Sequence, residues 1–438
     1  MNKQQINLND DSKTNINYKP KGTQDIFGKK KEVFLHIRDS FFQVANSFNF
    51  QYIETPIFEF ANIFLSSGQS SDIVNKQMYE FKDKNDRLLA LRPEGTAPVI
   101  RAINENKLYL EHNKFFYFGP MFRYERPQKG RNRQFYQAGI EYINLDSNLI
   151  KLEVLDFAKQ LLTKLDLLKD TTLKINYLAT QEQRNLYSDY LKKYLLNYKD
   201  QLSFISQTRL DVNPLRILDE KQDADKEFVK QAPKLQDFYT QEQKEEFEQI
   251  QRLLQQNNIN FEVDPLLVRG LDYYDNLVFE FVSESKYLGT KSTILAGGCY
   301  NGLFTRFAGP DLKGIGFALG VDRITEILIN NDELFKEFFL DFFILALNEE
   351  EIANVTKLVS NLRFLNFRVD FNKKLFNSFA KAFKNSTKWK AKYLIFKEKN
   401  QPQDKWTIKN SQTLKNIEIS EEDLKDKEIL NKLEKLFN

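Results

Sequence analysis

The chain is poor in the residues that most often carry covalent and metal chemistry. Its 438 residues include one cysteine, Cys299, and two histidines, His36 and His112. A single thiol excludes an internal disulfide and a multi-cysteine zinc site. Two histidines, neither inside a candidate motif, argue against a histidine metal centre or a catalytic triad. Each reads as a packing or surface residue. No uncharged run approaches membrane-spanning length, and residues 1–18 are polar and rich in Asn and Lys rather than signal-like. The expectation is a cytoplasmic protein with no membrane partner and no bound metal of its own. An excess of one charge is also lacking, since 64 Lys and Arg face 61 Asp and Glu, a formal +3. A nucleic acid would have to be met by local basic patches, not by a global field.

What the chain does have is aromatic and apolar mass. It holds 39 Phe and 19 Tyr and is 41% hydrophobic, so a sizeable core can form. Its length allows about three domains. Abundant Lys and Asn read as base bias in the genome rather than as function. Residues 1–18 read as a disordered tail. Apolar positions Val33, Phe34, Ile37, Phe41, Phe42 and Ala45 give a helix over Lys30–Phe48. Tyr52–Ile57 reads as a strand interrupted by Pro56, hence an edge or bulge. Further strands fall near 88–91, 115–124, 134–143, 277–282, 293–296 and 314–319. The fold class is α+β, a predominantly antiparallel sheet flanked by helices. Residues 178–262 carry dense charge and helical periodicity. After Asn331, strand and helix patterns alternate: Phe338–Ala346, Ile352–Asn366, Arg368–Phe371 and Tyr393–Phe396. They predict a small α/β module over 338–438. Its middle is basic, with Lys373, Lys374, Lys381, Lys384, Lys388, Lys390 and Lys392. A charge run of this kind is usually a solvated face.

Residues 115–143 are the most informative. An apolar, aromatic strand leads into the basic loop Glu125–Arg133, and a second strand returns from Gln134 to Ile143. Strand side chains alternate between faces. Gln137, Gly139 and Glu141 therefore share one face, opposite Tyr136, Ile140 and Tyr142, while Arg123 and Glu125 share a face opposite Phe122 and Tyr124. A polar face on so hydrophobic a hairpin is costly unless it meets water or a polar ligand. From spacing alone, an amphipathic surface hairpin and a binding hairpin stand about even.

The string FRYERPQKGRNRQFYQAGIEY (122–142) resembles motif 2 of class II aminoacyl-tRNA synthetases, most closely that of the histidyl-tRNA synthetases. The resemblance implies that Arg123 contacts the α-phosphate of ATP, that Glu125 approaches the adenine amino group, and that Phe135 stacks on the base. An arginine offers a fixed fork of donors to phosphate oxygens. RPEGT (92–96) is similar to the family segment whose glutamate and threonine hold the α-amino group of the amino acid. Glu94, Thr96 and Gln137 would together give an ammonium three acceptors. Glu94 and Thr96 could equally cap the helix that follows.

RGLDYY (269–274) resembles the first histidine-specific motif of the family. By that resemblance Arg269 supports the growing charge on the carboxylate and α-phosphate. Tyr274, with Tyr273 nearby, joins Glu141 around the imidazole. A neutral imidazole has one donor and one acceptor nitrogen, which a carboxylate and a phenol complete. AGGCYNGL (296–303) corresponds to a second motif, usually GGRYDGL; here Cys299 and Asn301 replace an arginine and an aspartate, which suits a lost ion pair. GIGFALGVDRI (314–324) resembles motif 3. Arg323 falls in a first helical turn, where the macrodipole disfavours a cation. Either Asp322 offsets it, or nucleotide does, with Arg323 over the adenine and γ-phosphate. Thr55–Pro56 fits motif 1, which builds the class II dimer interface.

The resemblance covers the chain from about residue 19 to its end. It implies a histidine–tRNA ligase, a homodimer acting on histidine, ATP and tRNA(His), with Mg²⁺ accompanying ATP and no zinc. Residues 19–177 and 263–331 would form the catalytic domain. Residues 178–262, which include the family-like stretch RLDVNPLRILD, would be a helical insertion embracing tRNA, and residues 338–438 an anticodon-binding domain. Histidine tRNAs generally carry an extra 5′ guanosine that the family reads with motif 2 loop residues. Gln128 and Arg133 match those positions, with Lys129 and Arg131 nearby for phosphate. Three other readings compete: a catalytically dead histidine-sensing paralogue, another class II synthetase such as the threonyl or prolyl type, and a generic RNA-binding protein. The first would have lost Arg123, Glu94, Arg269 and Arg323. The second would lack RGLDYY, and the third would need neither RPEGT nor motif 3.

Overall fold

The computed structural model describes residues 18–67, 74, 76–144, 146–218, 220, 222–267, 273–289, 291–331, 339–375 and 379–437. The chain divides into two compact units, Met1–Asp332 and Glu333–Asn438. In the first, the strands among the described residues are β1 (Gln51–Tyr52), β2 (Phe58–Phe60), β3 (Tyr79–Lys82), β4 (Leu88–Leu91), β5 (Lys114–Phe122), β6 (Gln134–Ile143), β7 (Thr171–Tyr177), β8 (Glu262–Val263), β9 (Tyr274–Ser283), β10 (Ser292–Tyr300) and β11 (Gly314–Gly320). Eight of them form one sheet in the order β1-β5-β6-β11-β10-β9-β7-β8. The outer pairs β1/β5 and β7/β8 are parallel, and every pairing between them is antiparallel.

Two helices back this sheet. The helix Gly28–Ser47 buries Val33, Ile37, Phe41, Val44 and Ala45 at helical spacing. The ring of Phe41 lies 5.8 Å from both Phe116 on β5 and Phe157 on the helix Asn148–Lys164. That second helix starts where Ser147 accepts a hydrogen bond from the Leu149 amide at 3.1 Å, which satisfies one of the otherwise unpaired first-turn donors. Each fully buried phenylalanine here stabilises the layer by about 1.5–3 kcal/mol.

Residues 52–57 differ from the single interrupted strand expected. β1 ends at Tyr52, and the chain re-enters a strand at Phe58 in a separate three-stranded sheet, order β2-β4-β3. Pro56 has no amide hydrogen to continue a ladder. The Thr55 carbonyl instead accepts from the buried Arg92 guanidinium at 2.9 Å. The segment 178–262 is mainly helical, with helices Gln181–Leu196, Phe204–Val212 and Gln241–Gln256. The last opens with a reciprocal Thr240–Gln243 capping box.

In the second unit the strands among the described residues are β12 (Leu340–Ile344), β13 (Val369–Phe371), β14 (Ala391–Phe396), β15 (Lys405–Asn410) and β16 (Asn416–Ser420), in the order β13-β12-β14-β15-β16. β12 runs parallel to β13 and β14, and the other two pairings are antiparallel. The helices Glu349–Phe364 and Ile429–Phe437 pack on a core that includes Phe342, Tyr393, Trp406 and Leu433. β15 and β16 were not anticipated, because KWTIKN and NIEIS mask their buried residues with charge and amide groups.

Candidate active site

One face of the large sheet is cleared of bulk. Gln137, Gly139 and Glu141 of β6 lie opposite Gly320, Ala318 and Gly316 of β11. Ala318 and Gly316 in turn face Ala296 and Gly298 of β10. Because the side-chain period is two, the same strands turn Ile140, Phe317, Leu319 and Leu295 to the reverse face. The small residues are required where side chains lie flat across the floor. A Cβ on Gly316 would stand 2.1 Å from a Glu141 carboxylate oxygen, and one on Gly139 would stand 2.4 Å from the Tyr117 ring. Above this floor is a cleft of about 360 Å³, in the range of small-molecule sites.

The cleft brings together Glu94, Thr96, Gln137, Tyr273 and Tyr274 with Arg123, Glu125, Arg131, Phe135 and Arg323. Glu94 accepts from the amides of Thr96 at 2.6 Å and Ala97 at 2.8 Å. It caps the helix Thr96–Glu105 and lines the cleft at once, so the two readings of RPEGT are compatible. Burial pushes its carboxyl above the ordinary range, against those two amides and Arg123.

Arg123 donates through Nε to the Pro93 carbonyl at 2.8 Å, and its guanidinium lies 5.1 Å from the Phe135 ring centroid. Arg323, in the first turn of the helix Val321–Leu328, donates to the Thr293 carbonyl. Burial lowers its guanidinium to about 10; Arg131 and Arg123 push the same way, while Glu125 and Glu280 oppose. Three arginines thus converge on one end of the cleft, an arrangement suited to a polyphosphate.

On the same sheet face, buried and not itself lining the cleft, lies Glu141. Its Oε2 accepts from the Tyr300 hydroxyl at 2.7 Å, while its Oε1 is buried with no hydrogen-bond partner. Burial raises the carboxyl to about 8 against the Tyr300 hydrogen bond. Gln137 Oε1 is likewise buried without a partner. The rings of Tyr273 and Tyr274, 4.7 Å apart, line the cleft. Unpaired buried acceptors are costly, and a ligand carrying N–H donors would satisfy them.

Gln128 and Arg133 do not line the cleft. Gln128 and Arg131 exchange backbone hydrogen bonds of 3.1 and 2.9 Å around Gly130, whose φ is +68°. Arg133 lies over the Tyr124 ring at 4.1 Å. Asp322 does not act within its own helical turn. Its Oδ2 accepts from the Tyr136 amide at 2.8 Å, and its Oδ1 from Asn132 at 2.8 Å and Gln24 at 2.5 Å. Cys299 is on the reverse face, beside a void of about 10 Å³ shared with Lys151 and Asn301. Arg269 falls outside the described residues.

The sequence reading missed Tyr300 as the partner of Glu141, and it missed Glu280 and Thr293 in the cleft wall. In the sequence Tyr300 stood only as one residue of the AGGCYNGL segment. Its alternation with Gly298 on a strand antiparallel to β11 is the signal that could have placed it. Among the described residues no group of three His, Cys, Asp or Glu side chains is disposed to hold a metal. No helix among them is long and apolar enough to cross a membrane.

Comparison with known proteins bears on the whole arrangement. A family model described as histidyl-tRNA synthetase matches residues 22–324. A histidine–tRNA ligase of Mesomycoplasma hyopneumoniae (strain 7448) is 48% identical over 410 residues, covering 93% of this chain and 95% of that protein. One from Mycoplasmopsis pulmonis is 46% identical over 393 residues, covering 90% and 92%. The crystal structure of apo S. aureus histidyl-tRNA synthetase superposes with a TM-score of 0.77 at 31% identity, covering 93% of this chain and all of that one.

Proposed function

The chain belongs to the histidyl-tRNA synthetase family, and from that premise we propose that the cleft on the large sheet is where histidine and ATP react. The protein is an ATP-dependent ligase that charges tRNA(His) with histidine for protein synthesis. In the first step a histidine carboxylate oxygen attacks the α-phosphorus of ATP, and the bond to the β-phosphate oxygen breaks, releasing pyrophosphate. In the second a terminal ribose hydroxyl of the tRNA attacks the histidyl carbonyl, and AMP leaves.

The observation that carries the site assignment is the buried Glu141 carboxyl, held through Oε2 by Tyr300, with Thr96 nearby and its Oε1 making no hydrogen bond of good geometry. In this reading Glu141 accepts from an imidazole N–H, and Tyr274 with Tyr273 gives a phenol proton to the other ring nitrogen. A ring unable to complete both bonds would leave buried groups unpaired and be rejected. Glu94, Thr96 and Gln137 hold the α-ammonium. At the other end Arg123 meets the α-phosphate, Glu125 and Phe135 the adenine, and Arg323 the γ-phosphate. Arg269 would join them at the reacting carboxylate. Such donors act by stabilising charge as it develops.

Mg²⁺ fits this cleft as a companion of ATP. It favours phosphate oxygens with one or two carboxylates, and Glu125 and Glu280 both line the cleft. Bound there, it would neutralise phosphate charge. Gln128, Arg131 and Arg133 of the basic loop read the 5′ end of the tRNA, residues 178–262 embrace it, and the second unit binds the anticodon arm.

The protein works as a homodimer through the small sheet. There the usual pattern is inverted: Phe58, Phe60 and Phe81 are 55%, 51% and 42% exposed, whereas Glu59 between the phenylalanines is 8% exposed and pairs with Arg101. An outward aromatic face over an inward ion pair suits a second copy of the chain.

The test is ATP–pyrophosphate exchange over a panel of amino acids without tRNA. Exchange should depend on histidine. Exchange stimulated by another amino acid, with none for histidine, overturns the reading.

A further inference from the structure

The Asp322 carboxylate is a junction of three chain segments. It sits at the start of the helix Val321–Leu328, one residue before Arg323, and lines the cleft. Its oxygens receive the Tyr136 amide on β6, the Asn132 amide group at the end of the basic loop, and the Gln24 amide group from the segment ahead of the first helix. That N-terminal segment is itself laid along the hairpin. The Gly22 carbonyl accepts from the amides of Arg133 at 2.8 Å and Gln134 at 3.1 Å. Lys30 donates to Gln24 Oε1 and also pairs with Glu326 on the Asp322 helix at 3.7 Å.

The buried carboxylate and its three donors therefore join the strand carrying Phe135 and Gln137 to the helix carrying Arg323. It adds a side-chain link just beyond the last rung of the β6/β11 ladder, Gln137 opposite Gly320, between the Phe135 ring and the Arg323 guanidinium, the two groups read as flanking the nucleotide. We propose that Asp322 and Gln24 are positioning residues for adenylate formation. They hold the basic hairpin and the Arg323 helix at the separation ATP requires, and the segment around Gly22–Gln24 is a working part of the nucleotide site. The inference rests on the reading of the cleft given above. Its physical basis is that misplacement of reacting groups by about 1 Å can lower a rate by about 100-fold.

The experiment is steady-state exchange with purified full-length protein, reading kcat and KM for ATP and for histidine separately. Four forms are compared: wild type, Gln24→Glu, Asp322→Asn and the double variant. Gln24→Glu sets a second carboxylate against Asp322, and Asp322→Asn turns an amide toward the donors. Each should lower kcat/KM for ATP by about 10- to 100-fold, with the KM for histidine unchanged. The double variant restores one carboxylate facing one amide, with their places exchanged. It should recover at least about tenfold, a coupling that a double-mutant cycle isolates. A uniform loss of folded protein would lower the apparent kcat and leave both KM values unchanged, so a raised KM for ATP is the part of the loss that marks a positioning role. If Asp322→Asn fails to fold, Gln24→Glu and Gln24→Ala decide, since Gln24 is only half-buried. Wild-type values for both Gln24 variants overturn the inference, as does strict additivity in the cycle. If wild type itself shows no histidine-dependent exchange, the reading of the cleft is wrong and the inference falls with it. If wild type exchanges and the variants match it, the inference alone falls.

Discussion

The two faces of the eight-stranded sheet obey opposite rules. On the reverse face Phe317, Leu319, Leu295 and Ile140 are buried against helices, and their packing stabilises the fold. On the cleft face the same strands carry glycine and alanine, and the larger side chains that remain are polar, buried and incompletely paired. The reverse face lowers the energy of the folded chain, whereas the cleft face raises it and leaves Glu141 Oε1 and Gln137 Oε1 waiting for donors. Strands that alternate in this way let one sheet serve as a core and a binding surface together. The comparison predicts that substitutions on the cleft face cost chemistry and spare stability, and that those on the reverse face do the converse.

The largest effect should come from Glu141→Gln. Losing the carboxylate should lower kcat/KM for histidine by about 10³-fold, since a site built for a hydrogen bond discriminates strongly when that bond is removed. Stability should change in the opposite sense, with a definite pH dependence. Burial raises the Glu141 carboxyl to about 8, above the ordinary glutamate value near about 4.3. The folded state therefore holds a proton that the unfolded chain releases between those values. Its stabilising contribution is full below the unfolded pKa and is lost as pH rises through about 8. The glutamine variant lacks that loss. Its Tm in the absence of histidine should come closest to wild type near pH 4 and exceed it near pH 8.5. A variant less stable at high pH would break the contrast between the faces.

Next in size is Arg323→Ala. Removing one donor to developing charge typically costs about 10²–10³-fold, and exchange should fall by that amount. Burial lowers the guanidinium to about 10, with Arg131 and Arg123 adding to the effect. Relieving that crowding should leave Tm unchanged or slightly higher. A loss of stability without loss of exchange would move Arg323 from the chemistry to the scaffold.

The sequence showed some of this plainly and some not at all. The hairpin alternation put Gln137 and Glu141 on one face because a strand's period is rigid, and β6 keeps it. It overreached at Arg123 and Glu125, because β5 ends at Phe122 and the chain turns, the Glu125 amide bonding back to the Arg123 carbonyl at 2.9 Å. The site residues were legible where a motif fixes them. Tyr300, Asp322 and Gln24 were not, because what they do depends on register between strands and on contacts nearly 300 residues apart in sequence, as between Gln24 and Asp322. In the second unit the core strands β12 and β14 stood out by their continuous apolar runs. β15 and β16 did not, since their outward residues are charged.

The smallest effect on activity, and the sharpest test of the reverse face, is at Cys299. This thiol faces Asp275 across the β9/β10 ladder and adjoins the buried ammonium of Lys151. Lys151 is already engaged by Glu246 at 2.5 Å, Asn148 at 3.0 Å and Asp146 at 3.4 Å. Burial pushes the Cys299 thiol up to about 12, so it is neutral and acts as a small apolar residue. Cys299→Arg, the residue usual at this place in the family motif, would force a guanidinium into a void of about 10 Å³ beside an existing cation. Overpacking alone costs about 1–3 kcal/mol. Adding Asn301→Asp brings a carboxylate into the same void and should recover about half of that loss, so the two changes should be coupled in denaturant unfolding. Exchange should stay within about twofold throughout, because neither Cys299 nor Asn301 lines the cleft. Additive stabilities would mean that the two positions are unrelated. A fall in exchange at unchanged stability would show that the reverse face takes part in the chemistry, and the separation of roles between the faces would fail.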